Sequence, residues 1–295
     1  MPRPRRAVRR LTPLVLLAIA LALFSGARCY PPDTRVVVFI QGLYTTLDAG
    51  GTQSTFAEDR RFATLKGEFA ARGYEPGDML DFSYNGGTVN AIGRWSPRPY
   101  DCQDTDRPAS GHVAVLEQML RDYRARHKDA HFTLVGHSLG GYVAFLAGER
   151  EAARPDAAKL HIDVVVTLDA PIEGVSADKV AIINLIPCEK TYATGAELAA
   201  ARQDPATPGL RTQQAAAMAA AGIRLVTVGN LSDCLLNTRA CLPGQTWADD
   251  SESQFVDGAA ATLRYNIASS PLASHDAILA HAAAVRAVVD FVGAP

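Results

Sequence analysis

Short apolar runs alternate with longer segments of helical periodicity along most of the chain. Residues 34–43, TRVVVFIQGL, hold a β-branched run with no helical repeat and close at a glycine, the pattern of a buried strand. Residues 77–87, GDMLDFSYNGG, form a second strand candidate that ends in Asn85 and two glycines. Between them, STFAEDRRFATLKGEFAARGY places Phe56, Phe62, Leu65 and Phe69 near helical spacing and stops at Gly73. Strand, helix, strand is the unit of a parallel sheet.

The unit recurs. After a loop at 88–108 punctuated by Pro and Gly, SGHVAVLEQMLRDYRARH reads as an amphipathic helix beginning after Ser110, and AHFTLVGH as a strand. LGGYVAFLAGERE then opens a helix, and KLHIDVVVTLDAP and AGIRLVTVGN are two further strands. SHDAILAHAAAVRAVVDFVG closes the series as one helix with Ile278, Leu279, Ala282, Val285, Val288 and Val289 on its apolar face. This order predicts an α/β fold, a mostly parallel sheet with helices on both faces, and a site at the carboxyl ends of its strands.

Two segments break the rhythm. From Glu173 to Ala221 the apolar VAIINLIP is followed by an Ala-rich, Pro-broken stretch of helical character, either a surface insertion or a cap or lid over the site. Leu231 to Pro271 shows few periodic signals and is expected as loops and short helices on the same face. There is no internal repeat.

Composition agrees with a globular chain: 295 residues, 48% hydrophobic and 20% charged, enough to build one large core. The amino-terminal segment stands apart, with MPRPRRAVRR carrying five arginines and no acid, an apolar LTPLVLLAIALALF, and small residues before a cleavage point after Ala27. Residues 1–27 are therefore expected to be a signal peptide or, failing cleavage, an amino-terminal anchor, leaving 28–295 as a single exported domain. Without its five arginines the chain holds 24 basic and 31 acidic residues, a net charge near −7, and no basic patch suggests nucleic acid. The five cysteines show no zinc spacing. In an oxidising compartment Cys234 and Cys241 could close a short loop, with Cys102 and Cys188 as a second pair and Cys29 left over.

Chemistry concentrates at FTLVGHSLGGYVAF, residues 132–145. Gly-x-Ser-x-Gly alone arises by chance in about one chain in ten of this length, so its setting decides. A strand enters the motif and a helix leaves it, and Gly136, Gly140 and Gly141 let the two approach, as a nucleophile elbow requires. Ser138 is the candidate nucleophile. Its base must come from the three histidines that follow: His161 leads into a strand, His281 lies inside the terminal helix near its buried side, and His275 stands at a helix start after a loop. His275 is the candidate. Asp233, four residues beyond IRLVTVG, is the candidate acid, with Asp169 directly after VVVTL as the alternative. Asp276 adjoins the base itself, and Asp249, Asp250 and Asp257 read as solvated loop charges. An oxyanion would be held by the backbone amides of Leu139, at the helix start, and Leu43, in the loop after the first strand.

With these residues in place the chain resembles the α/β-hydrolase superfamily, particularly its lipase- and esterase-like members. VVVFIQGL is similar to the strand and oxyanion loop, LVGHSLGG to the elbow, VVVTLDAPIEG to the segment that usually ends in Gly-Thr-Pro-His, and GNLSDCLL with SHDAIL to the acid and histidine segments. Gln41 stands where a histidine is common, and DAPIEG departs from the usual Gly-Thr-Pro form. The resemblance implies the α/β-hydrolase fold and a serine hydrolase acting on a small-molecule or lipid ester, with access to a lipid interface. It calls for no metal and no organic cofactor. Acyl transfer, thioester, lactone or amide cleavage, and a non-catalytic binding role on the same fold are the alternatives.

Overall fold

The computed structural model describes residues 34–48, 53–54, 62–184, 192–242, 244, 246–270 and 273–293. The expected leader at 1–27, Cys29 and Cys188 lie outside the described residues. Six strands form the main sheet: β1 (Arg35–Ile40), β2 (Met79–Asp81), β3 (His131–His137), β4 (Ile162–Leu168), β5 (Arg224–Asn230) and β6 (Ala261–Tyr265). Among the described residues eight α-helices accompany them: α1 (Ala63–Ala71), α2 (Ala109–Arg124), α3 (Leu139–Ala152), α4 (Ala177–Ile183), α5 (Tyr192–Gln203), α6 (Thr207–Ala220), α7 (Ala277–Ala280) and α8 (Ala282–Val292). The sheet order is β2-β1-β3-β4-β5-β6, and every pairing is parallel.

The unbroken apolar runs have a direct cause, burial on both faces of the sheet. Val36, Val38 and Ile40 of β1 join Val113, Leu116 and Leu120 of α2 and Val143 and Phe145 of α3 in one core. Val37 and Phe39 turn to the opposite face and join Leu65 and Phe69 of α1 with Val285, Val288 and Val289 of α8. Alternate residues of one strand thus serve two cores.

Helix α6, from the second half of the Ala-rich segment, is a crossover helix between β4 and β5. Its Met218 is fully buried, and a Cβ on Gly148 of α3 would meet Met218 Sδ at 2.8 Å. Helix α5 is tied to the body at two points: Glu197 Oε2 accepts from the Ala109 amide at 2.8 Å, and the Thr194 hydroxyl donates to the Arg107 carbonyl at 2.9 Å. Among the described residues no helix is long and apolar enough to cross a membrane.

Two expectations need correction. Strand β6 lies within the stretch expected to be loops and short helices. It is an edge strand whose residues alternate between exposed and partly covered, so it lacks the apolar run that marks its neighbours. The terminal helix is broken at His281, where ψ is 109°, and the ring Nδ1 accepts from the Ala284 amide at 3.4 Å. His281 caps α8 instead of lying inside one continuous helix.

Candidate active site

Strand β3 hands directly to α3 through Ser138, whose φ of 56° and ψ of −127° are strained for a residue with a side chain. Such a conformation costs about 1–3 kcal/mol and persists only where its surroundings enforce it. Here the Ser138 amide donates to the Leu168 carbonyl at 2.8 Å, and the Ser138 carbonyl accepts from Gly141 at 3.0 Å. Gly140 packs against the Ile40 and Gln41 carbonyls so closely that a Cβ would overlap them. The serine is left 9% exposed at the carboxyl edge of the sheet.

The loop after β1 passes beside it. A Cβ on Gly42 would lie 2.8 Å from Ser138 Cβ and 3.3 Å from its Oγ, so no larger residue fits there without displacing the serine. Buried hydroxyls occupy the loop's carbonyls: Tyr84 donates to Gln41, and Thr45 donates to Gly42 at 2.9 Å while bonding the Tyr100 hydroxyl at 2.7 Å. The Tyr44 amide, at a φ of 60°, donates to Thr105 Oγ1 at 3.1 Å. Among the described residues the amides of Leu43 and Leu139 donate to no protein acceptor.

Asp233 and His275 come together: Nδ1 of His275 lies 2.6 Å from Asp233 Oδ2, with the carboxylate fully buried and the imidazole 15% exposed. The other carboxylate oxygen accepts from the Leu235 amide at 2.8 Å, and a Cys234–Cys241 disulfide closes the loop that follows. Cys102 is also disulfide-bonded. Asn230 stitches the acid turn to the histidine loop. Its amide nitrogen donates to the Ile267 and Ser274 carbonyls at 3.3 and 3.2 Å, and its oxygen accepts from Ser232 and Ile267 at 3.1 and 2.9 Å. All four bonding positions of that side chain are used. Ser274 Oγ accepts from the Cys234 amide at 2.9 Å and adds a second link.

His137, the residue before Ser138, was not singled out by sequence. Its Nε2 donates to the His275 carbonyl at 2.8 Å, and the two rings stack at a tilt with centroids 4.8 Å apart. The elbow and the histidine loop are thereby joined next to Ser138. A Gly-His-Ser sequence hints at this only once the position of the later histidine is known.

Asp169, the alternative acid, is also here. It sits at a φ of 44°, fully buried, with Oδ1 accepting from the Asn230 amide at 2.6 Å. Its Oδ2 has no hydrogen-bond partner among the described residues. Burial first, and then the negative charges of Asp233 and Asp276, push its carboxyl well above the usual carboxylate range against the pull of the Asn230 amide. One ligand-type atom each of His137, Asp169 and His275 lie within 4.8 Å of one another, the one group among the described residues with donors suited to a cation. Asp276 is nearly buried, with an oxygen 3.8 Å from His137 Nε2.

No protein-family model and no curated protein matches the chain. Solved structures similar to it include the lin2722 gene product of Listeria innocua, at 13% identity and a TM-score of 0.49 over 88% of this chain and 94% of that one. A lipase-esterase related protein from Clostridium acetobutylicum is similar at 9% identity and a TM-score of 0.42, over 88% and 93% of the two chains. Phospholipase PlaB from Legionella pneumophila is similar at 13% identity and a TM-score of 0.44, over 69% of this chain but only 41% of its own length.

Proposed function

We propose that this chain, whose fold is that of the α/β hydrolases, is an exported serine hydrolase of carboxylic esters, of the lipase and esterase type. The 2.6 Å bond from His275 Nδ1 to a fully buried Asp233, beside a strained serine elbow, carries this reading. A proton on Nδ1 leaves Nε2 of the imidazole as the lone-pair base. Ser138 Oγ attacks the ester carbonyl carbon while its proton passes to that nitrogen, and Asp233 stabilises the imidazolium that forms. The Leu43 and Leu139 amides donate to the oxyanion. Collapse of the tetrahedral intermediate breaks the bond to the alkoxy oxygen, which leaves as an alcohol with the proton from His275. Water then attacks the acyl-enzyme, gives its proton to the same nitrogen, and releases the acid and free Ser138.

The Cys234–Cys241 disulfide and the bonded Cys102 support export, since such bridges persist in oxidising compartments. The test is incubation with a fluorophosphonate probe and with short- and long-chain p-nitrophenyl esters. Wild type should be labelled at Ser138 and turn over ester, and Ser138→Ala should abolish labelling and lower kcat on the order of 10⁴-fold or more. A wild-type protein that is neither labelled nor active removes the hydrolase reading in favour of a binding role on the same fold.

A further inference from the structure

Asp169 is a buried acid of the site that the proposed reaction leaves without a task. We propose that it is a reserve acid, a positioning residue able to take over the orientation of His275 when Asp233 cannot hold it. The inference rests on the serine-hydrolase reading above and adds a second acid to that site.

Three observations carry it. One is reach: a carboxyl oxygen of Asp169 lies within 4.8 Å of a ring nitrogen of His275, against about 2.8 Å for a charge-assisted bond, so a movement of about 2 Å or less brings the two to bonding distance. Another is availability, because Oδ2 is buried and has no partner among the described residues, so Asp169 gives up no bond of that oxygen in turning to His275. The last is shared charge. Asp169 and Asp233 repel across a buried space, and two carboxylates at such a place do not both ionise readily.

The groups that bear on Asp169 are Asp233, Asp276, His137 and His275, with the Asn230 amide as a donor. The Lys179 ammonium, on α4, attracts Asp233. Burial, then the charges of Asp233 and Asp276, hold the proton on Asp169. Removing the Asp233 carboxylate takes away one of the two repulsions that add to burial in holding the proton on Asp169. The proton then leaves to solvent at a lower pH than with Asp233 present, and the carboxylate that remains lies within 4.8 Å of a ring nitrogen of His275.

The experiment is a double-mutant cycle on the exported protein with its disulfides intact: wild type, Asp233→Ala, Asp169→Asn and the double variant. kcat and KM on a short-chain p-nitrophenyl ester are followed from about pH 5 to 9. Adding Asp169→Asn should lower kcat at least about tenfold more in the Asp233→Ala background than in wild type, and the kcat of Asp233→Ala should rise with pH as Asp169 ionises. Equal factors in the two backgrounds, with no pH-dependent rise, overturn the proposal.

Should the double variant not fold, proton NMR of Asp233→Ala alone decides. A downfield resonance from the His275 Nδ1–H bonded to carboxylate persists if Asp169 has taken over, and its absence overturns the inference. This readout needs no turnover. An unlabelled, inactive wild type with the resonance kept in Asp233→Ala would sink the ester-hydrolase reading while leaving the second acid standing.

Discussion

Thr105 shows how much of this site depends on single atoms remote from the reacting centre. Its hydroxyl accepts from the Tyr44 amide at 3.1 Å and donates to the Cys102 carbonyl at 2.6 Å, while its own carbonyl accepts from His112 Nε2 at 3.0 Å. The first of these bonds fixes the backbone one residue beyond the Leu43 amide. Thr105→Val keeps the shape but removes the hydroxyl that accepts from the Tyr44 amide, so the loop after β1, proposed to hold the oxyanion, should loosen. The expected result is about a tenfold fall in kcat with little change in KM, recovered by Thr105→Ser, measured as separate kcat and KM values on a short-chain ester. A fall confined to KM would assign Thr105 to substrate binding instead. No sequence pattern announces this residue. Nor does one announce Asn230, Ser274 or His137, because each acts by joining segments far apart in the chain. Ser138, Asp233 and His275 can be proposed from sequence for the opposite reason: the serine stands in a local strand-to-helix motif, and the order serine, acid, histidine along the chain is a fixed feature of the elbow fold.

Between strand and helix, α3 packs closely against the end of β1. Gly140 touches the Ile40 and Gln41 carbonyls, and Gly136 touches the backbone of Gly140 and Gly141. Overpacking of this kind costs about 1–3 kcal/mol. Gly140→Ala must push α3 away from β1, and that movement separates Ser138 from Gly42 as well. Thermal denaturation should therefore show a lower Tm, and fluorophosphonate labelling should slow in the protein that remains folded at a temperature well below that Tm. Unchanged labelling with a lowered Tm would restrict Gly140 to packing alone. At this scale the central strands were legible because two-sided burial writes itself into sequence as continuous Val, Ile and Leu. Strand β6 was not, since an edge position covered on one face needs only weak alternation. The break at His281 was hidden for a related reason: the apolar spacing continues on both sides of it, and the ring that caps α8 looks like any helical residue until its acceptor role is seen.

At the scale of the whole molecule, two buried ionisable groups act on opposite limbs of the stability profile. Burial lowers the His112 imidazole to about 4. Its Nε2 donates to Thr105, and its Nδ1 has no partner among the described residues, so a second proton would enter a place with no acceptor. An unfolded histidine takes up its proton near pH 6.5, so between about 6.5 and 4 the unfolded chain binds more protons than the folded one. The stability from His112 is thus complete above about pH 6.5 and is lost as pH falls toward 4, by up to about 3 kcal/mol. Asp169 runs the other way. Its folded carboxyl holds its proton above the range in which the unfolded residue ionises near 3.8, so the folded chain binds the extra proton and stability declines as pH rises past that value. Asp169→Asn keeps an oxygen for the Asn230 amide and removes the titration, so it should raise Tm at neutral and alkaline pH and leave it little changed near pH 4. His112→Gln should flatten the acid limb while lowering Tm above pH 6.5, where the native ring fits best. Calorimetric Tm values for wild type and both variants across this range check the two limbs together. An Asp169→Asn protein no more stable than wild type at pH 8 would mean that Asp169 is ionised in the fold, and with it would go the electrostatic reason for regarding it as the proton-holding partner of Asp233.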